Sequence, residues 1–144
     1  MNRVDFQELA DEHVKDAEVL LNAGRFAGAY YIAGYAVECA LKAVIAAKTQ
    51  GGDFPRRDAA KLYVHDLIDL LVYAQLGRKS GDRGILDISL AGVTTAIQDS
   101  WNLVDDWSEQ VRYDRDIDEP KARQFIEAVA DPMKGILSWI KTLW

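Results

Sequence analysis

The chain has 144 residues, 49% of them hydrophobic, with three prolines, one cysteine and a formal net charge of -6. This length and apolar content predict one folded domain with a sizeable core and exclude a largely disordered chain. The single cysteine excludes an internal disulfide and a cysteine-based zinc site, which favours a reducing cytoplasm, and the acidic balance argues against general attraction to nucleic acid.

The first two predicted helices lie on either side of Gly24. Apolar residues recur at helical spacing in the first segment, namely Phe6, Leu9, Ala10, Ala17, Leu20 and Leu21. The second helix is predicted from Arg25 or Phe26 to about Lys48. Gly28 and Gly34 inside it each cost on the order of 1 kcal/mol relative to alanine. We therefore expect a neighbouring helix to approach closely at these glycines.

Two further helices are predicted in the middle of the chain, after a long irregular connection over residues 49–61. The third is marked by Leu62, Leu67, Leu70, Leu71 and Ala74, and it ends at Gly77. The fourth is long, because apolar residues follow one another at spacings of three or four at Leu86, Leu90, Val93, Ile97, Trp101 and Val104.

A last helix is predicted from about Ala122 to Ile140. Asp118 suits its N-cap, and Pro120 is tolerated in a first turn, where the missing amide hydrogen has no helical partner. Pro132 lies inside the apolar pattern and removes a helix hydrogen bond. The sequence therefore predicts a kink or break near Asp131.

No segment alternates apolar and polar residues over the length of a strand, and hairpin dipeptides are missing. The sequence therefore predicts an all-α fold, an antiparallel bundle of four or five helices that forms a single domain over residues 1–144. The apolar second helix resembles a membrane span in length. Glu38 and Lys42 are costly in lipid, however, so we expect a core helix and no membrane association.

The second helix carries a polar stripe. Tyr31, Tyr35, Glu38 and Lys42 follow one another at steps of four, three and four, which places them on one side of an otherwise apolar helix. A carboxylate in such surroundings must be paired or it becomes protonated. Two interpretations stay open: Glu38 pairs with Lys42 or anchors a partner helix, or Glu38 lies in a polar cleft that faces another helix.

The net charge comes from the segment between Asp99 and Glu119, which holds eight acidic residues and two arginines, Arg112 and Arg115. Eight minus two gives the whole charge of -6, so the rest of the chain sums to zero. The arginines can form surface ion pairs worth about 0–1 kcal/mol each. Alternatively, an arginine at the mouth of the bundle meets Glu38 or binds a phosphate.

The remaining candidates give weaker signals. His13 is predicted to be a partly buried, hydrogen-bonded core residue, and His65 to lie at a helix start or an inter-helix contact. Two histidines without a carboxylate at helical spacing do not indicate a metal site, and no cofactor is expected. Cys39 is expected to be a buried, inert thiol.

Two basic patches break the acidic background and have two interpretations. They are solvated loops, or together they form a small phosphate-facing surface if both lie at one end of the bundle. The patches consist of Arg56, Arg57 and Lys61, and of Arg78, Lys79 and Arg83.

The second helix also resembles that of a known family. Its sequence over residues 24–42, GRFAGAYYIAGYAVECALK, is similar to the second helix of HEPN domains, as are the preceding AEVLL and His65-Asp66-Leu67 after the long connection. The resemblance implies a bundle of four or five helices, usually dimeric and often encoded beside a minimal nucleotidyltransferase in prokaryotes. Many members are metal-independent ribonucleases, and several act as toxins in toxin–antitoxin or defence systems.

The ribonuclease members carry an arginine that is followed a few residues later by a histidine. Arg112 matches this arginine, but residues 113–119 contain no histidine. The resemblance therefore implies a binding or partner module without ribonuclease activity. The alternative is a metal-independent ribonuclease or nucleotide-processing enzyme that uses Arg112, with His65 or Glu38 for proton transfer. The ligand-facing candidates are Tyr31, Tyr35, Glu38, Lys42, Arg112 and Arg115.

The expected partners are a second copy of the chain, a nucleotidyltransferase, and a nucleotide or RNA. The dimer is also suggested by the four tryptophans, which a domain of this size is not expected to bury alone, namely Trp101, Trp107, Trp139 and Trp144.

Overall fold

The computed structural model describes residues 1–49 and 66–144. Over these residues the chain forms six α-helices, one 3₁₀ helix and a two-stranded hairpin. The helices are α1 (Arg3–Asn22), α2 (Phe26–Ala47), α3 (Leu67–Tyr73), α4 (Thr95–Val104), α5 (Glu119–Ala130) and α6 (Ile136–Ile140), the strands are β1 (Gly77–Ser80) and β2 (Arg83–Leu86), and the 3₁₀ helix is Glu109–Tyr113. Most of the predicted 49–61 connection, its basic patch and His65 lie outside the described residues.

The predicted all-α class is confirmed, since the described chain is mostly helical and its sheet has only two short strands. The first two helices have the predicted bounds. Asn2 and Asp5 form a capping box at the start of α1, and Gly24 adopts a left-handed conformation (φ +75°) in the turn before α2. Asp66 caps α3 by accepting hydrogen bonds from the amides of Ile68 and Asp69.

Helix α2 is the centre of the core. Fourteen of its 22 residues are buried, and it packs against α1, α3, α5, α6 and the 3₁₀ helix. It is also long and apolar enough to span a membrane, but 78% of its most apolar window is buried inside the chain. Such burial is typical of the core helix of a soluble protein. The Lys48 ammonium donates a hydrogen bond to the Ala74 carbonyl, which links the end of α2 to the end of α3.

The expectation that the chain has no strand is wrong over residues 77–86. β1 and β2 pair antiparallel in a register that joins Gly77 to Leu86 and Ser80 to Arg83. The Trp101 indole on α4 donates to the Gly84 carbonyl at 2.9 Å, and the buried Asp105 carboxylate accepts from the Gly84 amide at 3.0 Å. The hairpin is thus held by contacts with α4, which local sequence patterns do not reveal.

The long fourth helix predicted from Leu86 is also wrong. Helix α4 begins only at Thr95, where the Thr94 hydroxyl accepts a hydrogen bond from the Ile97 amide. Leu86 belongs to β2, while Leu90 and Val93 lie in the following loop and pack against the core. These side chains imitate helical periodicity because loop residues can also point inward at such spacings.

The break in the last helix lies where it is predicted. Helix α5 ends at Ala130, and α6 begins at Ile136. The Asp131 carboxylate accepts hydrogen bonds from the amides of Met133 and Lys134 at 2.9 and 2.8 Å, which shapes the connecting turn. Asp118 caps α5 as predicted, accepting from the Lys121 amide at 3.0 Å.

The single chain buries most of its tryptophan surface. Trp101, Trp107 and Trp139 are at most 3% exposed, and the partly buried Trp144 packs against the core. The tryptophans therefore do not require a partner subunit, and the dimer stays a prediction that follows from the family resemblance.

Candidate functional site

The C-terminal half of the polar stripe on α2 forms an ion pair within the helix. The Lys42 ammonium donates to the Glu38 carboxylate at 2.8 Å, and the two side chains are only 13% and 5% exposed. This contact confirms the interpretation in which the two residues pair across one helical turn. In a buried pair each charge depends on the other, because removing one partner leaves the second charge poorly solvated.

The N-terminal half of the stripe is part of an aromatic cluster. Tyr31 donates a hydrogen bond to the Tyr35 hydroxyl at 3.2 Å, and their rings meet edge to face at 5.0 Å. The Trp107 ring lies 5.1 Å from Tyr35 and 6.3 Å from Tyr31, while the His13 ring of α1 lies 6.3 Å from Tyr35. Edge-to-face rings at these distances attract one another beyond their area burial.

Trp107 joins the cluster because residue 34 is a glycine. A Cβ atom at Gly34 would overlap the Trp107 ring, whereas one at Gly28 would touch Leu20 of α1 at an ordinary 3.6 Å. The prediction that a neighbouring helix approaches these glycines is thus confirmed for Gly28 and wrong for Gly34. At Gly34 the approaching group is a side chain from the segment between α4 and the 3₁₀ helix. Sequence reasoning missed Trp107, although the costly Gly34 indicated a close neighbour.

The cluster also contains buried polar atoms. Burial, with the hydrogen bond from Tyr31 as the next cause, raises the pKa of Tyr35, so its hydroxyl stays protonated at neutral pH. The Trp107 indole nitrogen and His13 Nδ1 are buried without a hydrogen-bond partner among the described residues. His13 is therefore partly buried beside Tyr35, as predicted, but its Nδ1 lacks the expected hydrogen bond among the described residues.

Arg112 lies on the exposed side of the 3₁₀ helix and meets the same stripe. Its guanidinium carbon is 4.8 Å from the centre of the Tyr113 ring. Hydrogen bonding to the side chain of Tyr113, and next to that of Tyr31, raises the pKa of Arg112. Arg112 therefore bridges the 3₁₀ helix and α2. We call the surface formed by Tyr31, Arg112 and Tyr113 the arginine–tyrosine surface.

Arg115 does not join this surface. It lines a separate cavity of about 380 Å³ at the turn between α1 and α2, together with Arg25, Phe26 and Ile117. The two arginines that the sequence presents as one constellation thus serve different surfaces. Arg25 had not been predicted as a site residue, because only the fold brings it to the same cavity as Arg115.

The second basic patch is divided by the hairpin. Arg78 and Lys79 are exposed on β1, whereas Arg83 forms an ion pair with Asp105 at 3.0 Å and donates to the Asn102 carbonyl at 2.6 Å. The other basic patch, formed by Arg56, Arg57 and Lys61, lies outside the described residues.

The remaining features are a cavity beside the hairpin, the side chains that could bind a metal, and the Cys39 thiol. A cavity of about 500 Å³ between α3 and the hairpin is lined by Val72, Arg78 and Ile88, so it includes one residue of the second basic patch but none of the six ligand-facing candidates. No cluster of His, Cys, Asp and Glu suited to a metal ion occurs in residues 1–49 and 66–144. Burial raises the pKa of the Cys39 thiol to about 12, which agrees with an inert side chain.

Comparison with known proteins identifies the family. The family model for the HEPN domain matches residues 5–143, nearly the whole chain. Searches among curated proteins and among solved structures give no match. HEPN domains are nucleotide-binding and ribonuclease-like modules, and the helical fold agrees with this family. The chain belongs to the HEPN domain family.

Proposed function

We propose that this protein is a non-catalytic HEPN module that binds a partner protein through the arginine–tyrosine surface. The observation that carries the proposal is the position of Arg112, whose exposed guanidinium is oriented by Tyr113 on its own helix and by Tyr31 on α2. An arginine oriented in this way loses little conformational freedom on binding and can donate several hydrogen bonds to a partner.

The acidic segment that contains Arg112 supports a protein partner over RNA. Acidic side chains of the 99–119 segment stay exposed, including Asp106 and Asp116, while Asp105 is buried against Arg83. An exposed acidic segment repels the phosphates of RNA and attracts a basic protein surface. The partner that we propose is a minimal nucleotidyltransferase, which is often encoded beside the proteins that this chain resembles.

The absence of ribonuclease activity is part of the same proposal. Arginine does not deprotonate at physiological pH, the pKa of Tyr35 is raised, and Glu38 is buried beside Lys42. None of these groups is suited to take a proton from a ribose hydroxyl. His65, the other group named in the ribonuclease alternative, lies outside the described residues.

Three further elements complete the proposal. We infer a homodimer, because the HEPN proteins that this chain resembles are usually dimers. We also infer a cytoplasmic location, because the single cysteine favours a reducing compartment. We also infer a role in a toxin–antitoxin or nucleotidyltransferase-associated system. Light scattering at high micromolar concentration tests the dimer, and a monomer under those conditions would contradict it.

The central test measures binding and cleavage in parallel. The purified chain is titrated with a purified minimal nucleotidyltransferase, and separately incubated with structured and single-stranded RNA without metal. We expect nucleotidyltransferase binding that Arg112→Ala weakens about tenfold or more, and no RNA cleavage. Arg115→Ala is the matched control, because this arginine lies on another surface. RNA cleavage that disappears in Arg112→Ala would establish the ribonuclease alternative instead.

A further inference from the structure

A second candidate site lies in the cavity at the α1–α2 turn, away from the arginine–tyrosine surface. The cavity has a volume of about 380 Å³, which is within the range of small-molecule pockets. Arg25 at the N-cap of α2 and Arg115 in the segment that precedes α5 both line it, and both are exposed. The fold thus brings two cations from distant parts of an acidic chain to one cavity.

Neither arginine is neutralised within the part of the chain that the structure describes. The ion pairs found there involve Lys42, Arg83, Arg123 and Lys141, and no side-chain hydrogen bond of Arg25 or Arg115 is present. Asp114 and Asp116 flank Arg115 in sequence, yet the Asp114 carboxylate accepts a hydrogen bond from the Asp116 amide instead. Two like charges at one cavity repel each other, and an anion between them would turn that repulsion into attraction.

The rest of the cavity defines the body of the ligand. Its walls include Leu20, Phe26 and Ile117, of which Ile117 is buried and the other two are partly buried. An apolar or aromatic group can therefore leave water against these side chains while an anionic group faces the arginines. Phosphate suits paired guanidinium groups, because its oxygens accept several of their fixed N–H donors at once.

We propose that this cavity binds a small phosphate monoester, with the phosphate between Arg25 and Arg115 and an apolar or aromatic body against Phe26 and Ile117. The α2 N-terminus contributes as a secondary feature, since Arg25 makes no side-chain cap and the first-turn amides favour negative charge. The proposal does not depend on the arginine–tyrosine surface, because Arg112 does not line this cavity.

The test is calorimetric titration of the full chain with phenyl phosphate, inorganic phosphate and phenol. We expect phenyl phosphate to bind about tenfold or more tightly than either fragment, because only this compound has both a phosphate and a ring. Arg25→Gln and Arg115→Gln should each weaken phenyl phosphate binding about tenfold. Arg112→Gln is the matched control and should leave this binding unchanged.

Three results would overturn the proposal: no heat of binding with phenyl phosphate, equal affinity for phenyl phosphate and phenol, or a loss in Arg112→Gln equal to that in Arg115→Gln. Far-ultraviolet circular dichroism establishes that each variant is folded. If Arg25→Gln fails to fold, the affinities of Arg115→Gln and Arg115→Lys for phenyl phosphate decide the outcome. A wild-type chain that binds the nucleotidyltransferase but gives no heat with phenyl phosphate would refute this inference and leave the proposed function intact.

Discussion

The Trp107 indole lies against the backbone of Gly34, in the space that any larger side chain at position 34 would occupy. Trp107 is 2% exposed and also contacts the rings of Tyr31 and Tyr35. The glycine thus allows the segment after α4 to close over α2, and this closure brings the 3₁₀ helix with Arg112 to the polar stripe.

Gly34→Ala should therefore destabilise the protein by about 1–3 kcal/mol, because the added methyl group overlaps the Trp107 ring in a closely packed region. Urea denaturation measures the change. Gly28→Ala is the matched control, because its methyl group contacts Leu20 at an ordinary distance. The higher helix propensity of alanine should stabilise this variant by up to about 1 kcal/mol. Equal effects of the two substitutions would contradict the assigned role of Trp107.

The buried pair on α2 leads to a second prediction. Lys42→Met should destabilise the fold by about 3 kcal/mol, because it leaves the Glu38 carboxylate buried without its ammonium partner. The double variant Glu38→Gln, Lys42→Met should recover much of this loss, since it buries no unpaired charge. Denaturation of both single variants and the double variant gives the coupling free energy. Strictly additive effects would show that the pair contributes nothing.

We expect the free energy of unfolding to depend on pH through the buried carboxyl group of Asp105. Burial is the largest influence on this carboxyl group and raises its pKa above the ordinary 3.8, although the Gly84 amide and Arg83 oppose the shift. The folded protein then binds the proton more tightly than the unfolded chain. This contribution to stability is complete below pH 3.8 and is lost as the pH rises through the raised pKa.

The measurement compares the free energy of unfolding of the wild type with that of Asp105→Asn across this pH range. Because the other carboxyl groups are common to both proteins, the difference isolates Asp105. The stability of the wild type relative to the variant should fall between pH 3.8 and the raised pKa, and then stay constant. A relative stability that rises with pH would show that the pKa of Asp105 is lowered instead.

Cys39 should resist thiol reagents in the folded protein. It is buried on α2, and its pKa of about 12 leaves almost no thiolate at neutral pH. A disulfide reagent such as dithiobis(nitrobenzoic acid) should modify it only as the chain unfolds, so the reaction should accelerate sharply in urea. Rapid modification in buffer alone would show that this part of α2 opens locally.

The sequence alone determines the parts of this protein that depend on neighbouring residues. The bounds of α1 and α2 follow from apolar periodicity and the glycine between them, and the break at Asp131 follows from Pro132. The Glu38–Lys42 pair follows from a spacing of four residues on one helix. These features need contacts only within a few residues, so the local pattern is sufficient to predict them.

Only the tertiary structure decides the remainder. The hairpin exists because Trp101 and Asp105 hold Gly84, and Trp107 completes the aromatic cluster because Gly34 leaves room for it. Arg112 and Arg115 are three residues apart, yet one meets Tyr31 and the other shares a cavity with Arg25. These contacts join segments that are distant in sequence, and no periodicity or cap along one segment carries information about the other.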